Sequence, residues 1–328
     1  MAQSGGAVKI LSVGSATQDV FLRNSNVREK ISIDGSTDAS ALKMGSKIDL
    51  NRVYFSVGGS AVNTATAFAR NGIESSIMCS IGQDFAGQNV LKALDSEHID
   101  TSRVAISPIY NTDYTTFLLD GQERAMLAYR GASGRLNCDN LDFSQEEFDW
   151  IYVSNLSGHL DLAEKIFQKA KDKNIKIFWN PGKKEFEKPE VVRALTEMVD
   201  IFQLNKNEAS SLVIGDTAEE LLTRCAGFAK ILILTDAENG IWATDRRKIL
   251  RAGLYEDAPV RDKTGAGDAF GAGFLAQWSR GADLTQSVIY GSANASSVIQ
   301  YFGSIKGILS ETTTLHSMPM AEKDFYYA

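Results

Sequence analysis

Strand-like and helix-like segments alternate along almost the whole chain. Val8–Val13 is a short β-branched run that stops at Gly14, and Ser60–Asn71 places small residues at helical spacing before Gly72. Ser76–Ile81 reads as a strand and Ala86–Glu97 as a helix. The rhythm repeats in Asp149–Ser154, Leu160–Lys173 and Ile175–Trp179, then in the strand-like runs Val199–Leu204 and Ile231–Leu234. Ala266–Trp278 and Thr285–Tyr301 close the chain as helices. Such alternation predicts βαβ units, hence a three-layer α/β/α fold around a mostly parallel sheet.

Two stretches break the rhythm. Phe21–Ser56 has no helical period and ends in the extended run Arg52–Val57. Thr112–Arg130 reads as a hairpin, two extended runs joined at Asp120-Gly121. Structureless loops this long are uncommon, so the two are expected to pair into a small β-sheet lid, inserted from about 21–56 and 112–130. Length alone allows two domains for 328 residues, but α/β folds often run this far as one. A single domain, 1–328, carrying a lid is the expectation.

Composition removes several function classes. A net charge of −7 argues against nucleic acid or an anionic membrane as the main partner. The three cysteines include no CxxC, and the three histidines no HExxH, so neither a disulfide framework nor a histidine-rich metal site is supported. The opening MAQSGGAVKI holds no signal-like apolar run, and a cytoplasmic location is expected. Leu284–Ile305 is free of charge but rich in Ser, Asn and Gln. It reads as a buried helix, not a membrane span.

The chemistry concentrates in Asp262-Lys263-Thr264-Gly265-Ala266-Gly267-Asp268-Ala269-Phe270. Its glycines precede an apolar helical run, and the unpaired N–H groups of a first helical turn bind anions. Asp268 inside that turn is an odd choice for phosphate binding alone. It suits a carboxylate that takes a proton from a hydroxyl attacking the phosphate. The competing reading is a packing glycine with a dipole-paired aspartate. A dinucleotide fingerprint fails, because Gly271 comes one position late for GxGxxG and only 63 residues follow Gly265. No GxxxxGK[ST] occurs. Earlier, Gly58 and Gly59 lead into a helix with Asn63 one turn in, a pattern for backbone approach and hydroxyl binding or for a tight turn. Asp19 follows the first strand, where open α/β sheets bind ligands.

The glycine pair near residue 58 and the DxTGAGDxF string near residue 262 resemble, in this order and separation, the two signatures of the ribokinase-like (PfkB) carbohydrate kinases. The resemblance covers essentially the whole chain. It implies transfer of the γ-phosphoryl group of ATP to a hydroxymethyl group of a sugar, of the ribose, fructose or ketodeoxygluconate type. Asp268 then matches the base, and Gly265, Ala266 and Gly267 the anion hole. Asp19, Gly58, Gly59 and Asn63 match positions that bind substrate hydroxyls, and Arg130 is a candidate for substrate or product phosphate. Asn205 and Glu208 resemble the N-x-x-E motif that holds Mg²⁺ through waters, although a helix cap would look the same. Thr235 and Gly240 fall in a nucleotide loop in which Ala237 replaces a glycine, and Asn294 is a candidate adenine-site residue. Asp262 and Thr264 resemble a monovalent-cation loop, for which K⁺ is the ion. ATP and Mg²⁺ are the implied cofactors, and a homodimer paired through its lids the implied assembly. A nucleoside kinase of the same fold and a non-catalytic sugar-sensing protein are the alternatives.

Overall fold

The computed structural model describes residues 7–23, 29–33, 37–41, 45, 47, 49–120, 123–138, 143, 148–256 and 259–325. The chain opens with β1 (Lys9–Val13) and continues directly into β2 (Thr17–Arg23). A small hairpin, β3 (Glu29–Ile33) and β4 (Thr37–Ala41), precedes β5 (Arg52–Gly58). There follow α1 (Ser60–Arg70), β6 (Glu74–Gly82), α2 (Phe85–Ser96), β7 (Asp100–Ser107), and the hairpin strands β8 (Asp113–Asp120) and β9 (Glu123–Tyr129). Next come β10 (Trp150–Val153), α3 (Leu160–Asp172), β11 (Lys176–Trp179), α4 (Pro189–Thr196), β12 (Ile201–Asn205), α5 (Lys206–Leu212), α6 (Ala218–Cys225) and β13 (Ile231–Thr235). β14 (Ile241–Thr244), β15 (Lys248–Ala252), α7 (Ala266–Trp278), α8 (Leu284–Val298) and β16 (Met320–Asp324) complete the chain.

The main sheet has ten strands, in the order β16-β15-β14-β13-β12-β11-β10-β1-β6-β7. From β13 to β7 the neighbours pair in parallel, and β14, β15 and β16 add antiparallel strands at one edge. Alternation along β10 shows why both faces are covered. Trp150 and Tyr152 point into the core under α1, α7 and α8, whereas Ile151 and Val153 point into the core under α3–α6. The expected three-layer fold is therefore observed. The predicted closing helix is α8, packed on α7. Among the described residues, no helix is long and apolar enough to cross a membrane.

Helix α7 rests unusually close to the sheet. A Cβ on Gly271 would lie 2.2 Å from the Tyr152 hydroxyl and 2.4 Å from Gln203 Oε1, so only glycine fits there. The Tyr152 hydroxyl is buried without a hydrogen-bond partner among the described residues, at a cost of about 1–3 kcal/mol. Burial of its ring, stacked on Phe178 at 4.4 Å, offsets a loss of that size.

The lid is a separate four-stranded sheet, β5-β2-β8-β9. It differs from expectation in its limits, because it begins at Thr17, still in the run that follows β1. The sequence there is too polar to read as a strand (Thr17-Gln18-Asp19), since both faces of this segment meet protein: Thr17, Gln18 and Asp19 are all buried. Among the described residues β3 and β4 pair only with each other, as a two-stranded sheet. The 112–130 hairpin is formed as expected, and Gly121 of its predicted turn lies outside the described residues. Phe21 stacks on Phe117 within the lid (4.5 Å), and Phe302 of the body packs against Tyr54 (5.3 Å) and Phe21 (5.7 Å), which ties the two together.

Candidate active site

β1 lies between β6 and β10, where the chain reverses its direction of sheet growth. The crevice at the carboxyl ends of such strands is the physical place for a ligand. A cavity of about 290 Å³ lies there, lined among others by Ser15, Thr17, Asp19, Gly59, Asn63 and Asp268. The lid contributes Thr115, Phe117, Met126 and Arg130, and the ends of β10 and β11 contribute Asn155 and Asn180. Residues 249 positions apart in the chain, Asp19 and Asp268, thus share one wall system.

Helix α7 begins at Gly265, whose φ of 77° is left-handed. A Cβ at this position would also meet the Ser304 Cβ at 2.5 Å. Ala269 N–H donates to Gly265 C=O (2.8 Å), which starts the ladder. The N–H groups before it lack helical acceptors, the condition for an anion site. Gln203 on β12 holds this turn from below, its Nε2 donating to Gly267 C=O (2.9 Å). Asp268 projects from the first turn. Asn63 Nδ2 donates to its Oδ2 (2.8 Å), while Asn63 Oδ1 accepts from Ser304 Oγ (2.6 Å). Burial raises the Asp268 carboxyl from 3.8 to about 6, against the lowering effect of the Asn63 bond.

Asp19 lies on β2, not in a loop, and is 2% exposed. Its carboxyl is raised to about 7, chiefly by burial and then by the charge of Asp262, with Arg130, Thr115 and Thr17 acting in the opposite sense. Gly58 makes room for it, since a Cβ there would lie 2.5 Å from Asp19 Oδ2. Gly59 caps α1 at φ 95°, and its Cβ would strike Ser15 C=O at 2.5 Å. Arg130 lines the cavity and leans on buried Asp113 (3.4 Å).

Other sequence-predicted residues fall elsewhere. Asn205 and Glu208 stand at the end of β12 and form a reciprocal cap on α5: Glu208 N–H donates to Asn205 Oδ1 (3.0 Å), and Asn205 N–H to Glu208 Oε2 (2.7 Å). Burial, with Glu185 nearby, raises the Glu208 carboxyl to about 7. Thr235 pairs in register with Asn205 at the same sheet end. Gly240 has φ 89° and a Cβ there would meet Ala252 C=O at 2.1 Å. Ala237 has a positive φ (46°), a conformation open to glycine that costs an alanine about 1–2 kcal/mol. Asn294 is not among the residues that line the cavity. It is fully buried, donates to Ala269 C=O (2.7 Å) and accepts from Leu309 N–H (2.9 Å), so both ends of its amide tie α8 to α7 and the following loop. Nor do Asp262 and Thr264 form an open cation loop. Asp262 Oδ1 accepts from Arg124 Nη1, from Thr264 N–H (3.0 Å) and from Thr264 Oγ1 (2.7 Å), so a guanidinium already supplies the positive charge.

The residues missed in the sequence are Ser304, Gln203, Ser15, Asn155 and Asn180. Asn155 and Asn180 follow strands β10 and β11, and the strand-end rule that marked Asp19 applies equally to them. Ser304 and Gln203 carry no local signal, because each acts only through a partner distant in the chain.

Comparison with known proteins addresses the family and the fold. A model of the family described as pfkB family carbohydrate kinase matches residues 28–311. An ATP-dependent 6-phosphofructokinase of Thermoanaerobacterium thermosaccharolyticum is 27% identical over 286 residues, covering 82% of this chain and 86% of that protein. A cytidine kinase of Thermococcus kodakarensis is 27% identical over 265 residues, covering 75% and 88%. Among solved structures, a putative ribokinase II of E. coli in complex with ATP and Mg²⁺ superposes with a TM-score of 0.76 at 18% identity, over 93% of this chain and 96% of that one. The nucleoside kinase of Methanocaldococcus jannaschii gives 0.73 at 22%, over 92% and 95%. The fold is ribokinase-like, and the chain, a phosphotransferase, belongs to the pfkB family of carbohydrate kinases.

Proposed function

We propose that the protein transfers the γ-phosphoryl group of ATP to a hydroxymethyl group of a sugar-sized acceptor held between the sheet ends and the lid. The observation that carries this reading is Asp268, a carboxylate fixed by Asn63 in the first turn of a helix, which lines the same cavity as Gly265 at that helix's start. Asp268 takes the acceptor's proton as the oxygen–phosphorus bond forms, and ADP leaves as the bond to the γ-phosphorus breaks. The N–H groups of Gly265, Ala266 and Gly267 face the charge on the transferring group. Asp19 accepts hydrogen bonds from acceptor hydroxyls, with Thr17, Asn155 and Asn180 as further polar contacts. Phe117 and Met126 on the lid exclude water, the competing acceptor.

Thr235 and the loop to Gly240 are proposed to hold the nucleotide. Glu208 and Asn205 fit Mg²⁺: they are hard oxygen donors, and a half-buried carboxyl raised to about 7 is one that a cation neutralises. Mg²⁺ usually keeps several waters and takes one or two protein ligands beside substrate phosphates. Mg²⁺ supplies charge neutralisation on the donor phosphates.

The cavity volume is at the small end of ligand sites, ~300–1,000 Å³, and most of the residues that line it carry hydrogen-bonding side chains. Both favour a sugar. The Phe117–Met126 wall favours the second reading, a nucleoside whose base would lie against it. Coupled ADP release over a panel of pentoses, hexoses, sugar phosphates, keto-sugar acids and nucleosides decides. Turnover with one sugar class and none with nucleosides is expected, and no turnover with any hydroxymethyl acceptor overturns the kinase reading.

The lid's outer face supports a homodimer. Val53, Phe55, Tyr114, Leu127 and Tyr129 share that face, with Phe55 72% and Leu127 61% exposed. A second copy's lid offers a like surface, and pairing would bury both. Light scattering is expected to give twice the chain mass, and Phe55→Glu with Leu127→Glu the single mass. A parent chain that stays monomeric at micromolar concentration refutes this assembly.

A further inference from the structure

The lid's inner face is laid out in cross-strand rows. Ser56, Asp19, Thr115 and Ala128 form one, over the cavity, and Tyr54, Phe21, Phe117 and Met126 form the next. The third row is Arg52, Arg23, Leu119 and Arg124, and nothing in the reaction above uses it. Its last member leaves the sheet. Arg124 Nη1 donates to Asp262 Oδ1 and to Thr264 Oγ1 (3.1 Å), and its guanidinium lies 5.9 Å from the Phe117 ring centre.

The two partners of this ion pair are unequal. Arg124 is 42% exposed, whereas the Asp262 side chain is 3% exposed. The arginine can swing into water at little cost. The carboxylate cannot, and a buried charge stripped of its partner is strongly unfavourable. Thr264 and Gly303 remain as neutral donors to Asp262, so when the lid lifts, the loop that carries Asp262 must itself rearrange. That loop runs directly into Gly265, the start of α7, and Thr264 lines the cavity.

We propose that Arg124 is a positioning residue: its contact with Asp262 and Thr264 couples the lid to the loop that opens α7, so that the anion site takes its reactive shape only with the lid shut. The coupling rests on the kinase reading for its role, but not for its existence. A lid strand and the phosphate loop, 138 residues apart, are joined by one side chain. Phosphoryl transfer then waits for a closed cavity, and water is kept from the γ-phosphorus while the site is open.

The test uses the full chain with Arg124→Gln and Arg124→Lys. For Arg124→Gln, amide exchange over β8 and β9 without ligand is expected to quicken at least tenfold. Phosphotransfer kcat/KM should fall tenfold or more, and the ratio of acceptor-independent ATP hydrolysis to transfer should rise. Arg124→Lys keeps the charge and should recover part of each change. If Arg124→Gln does not fold, Arg124→Gln with Asp262→Asn removes the stranded charge and is expected to fold with the fast-exchanging lid. Parent-like lid exchange and an unchanged hydrolysis-to-transfer ratio overturn the coupling. If the parent phosphorylates no acceptor, the kinase reading fails and the exchange measurement alone decides on the latch.

Discussion

Asp268→Asn is expected to lower kcat by about 10²–10⁴-fold, the contribution of a positioned general base. The substitution keeps the side-chain shape and leaves the helix start intact. An amide can still meet Asn63, because its oxygen accepts from Asn63 Nδ2 as the carboxylate does. Acceptor affinity by calorimetry should therefore stay within a few-fold of the parent. The fold should not suffer either, and the sign of the linkage says why. The folded carboxyl is raised above its ordinary value, so the stability it contributes is present at low pH and lost as pH rises through about 6. At neutral pH the charge is a liability that the amide removes, and the melting temperature should be equal or higher. Near-normal turnover in this variant refutes Asp268 as base. Loss of turnover together with loss of acceptor binding would instead place Asp268 among the binding groups.

The sequence showed much of this arrangement because its strongest signals are local. The alternation of β-branched runs with small-residue helices gave strands β1, β6 and β10–β13 and helices α1, α2, α3, α7 and α8 within a few residues. The glycines at 58, 59 and 265 are needed for contacts that a Cβ would block within 3 Å, and such needs are written directly as glycine. What stayed hidden is what only the folded chain brings together. α4, at 8 residues, and α5, at 7, are too short for a clear period, and β2 is polar because its neighbours, not its own pattern, bury it. Asn63 shows the limit within the site. Its spacing after the glycine pair suggested a substrate contact, but its amide is shared between Ser304 and Asp268. Asn294 has buried partners that its place on an apolar helix did not announce, Ala269 C=O and Leu309 N–H.

The second large effect is on pH dependence. In the proposed reaction both carboxylates act ionised, Asp268 to accept the proton and Asp19 to accept from two hydroxyls at once. Asp19 is faced by Thr17 on its own strand, Thr115 on β8, Arg130 after β9 and Asp262 from the α7 loop, and titrates at about 7. Asp268 is faced by Asn63 on α1 and the Tyr152 phenol on β10, and titrates at about 6. Both values are raised, so activity is present above them and lost as pH falls. At saturating Mg²⁺, proton competition at Glu208 drops out, and kcat/KM reports the free enzyme. Its logarithm should fall with slope one between pH 7 and 6 and approach slope two below 6, reaching about a thousandfold below the plateau at pH 5 for two independent groups. Asp19→Asn should lower the plateau and leave a single transition near 6. Asp268→Asn should remove that lower transition from the residual activity. A flat profile between pH 5 and 8, with the fold intact by circular dichroism, would show that neither carboxylate limits the reaction. A limb of slope one in the parent, unchanged by Asp19→Asn, would leave Asp268 as base and remove the need for charge at Asp19.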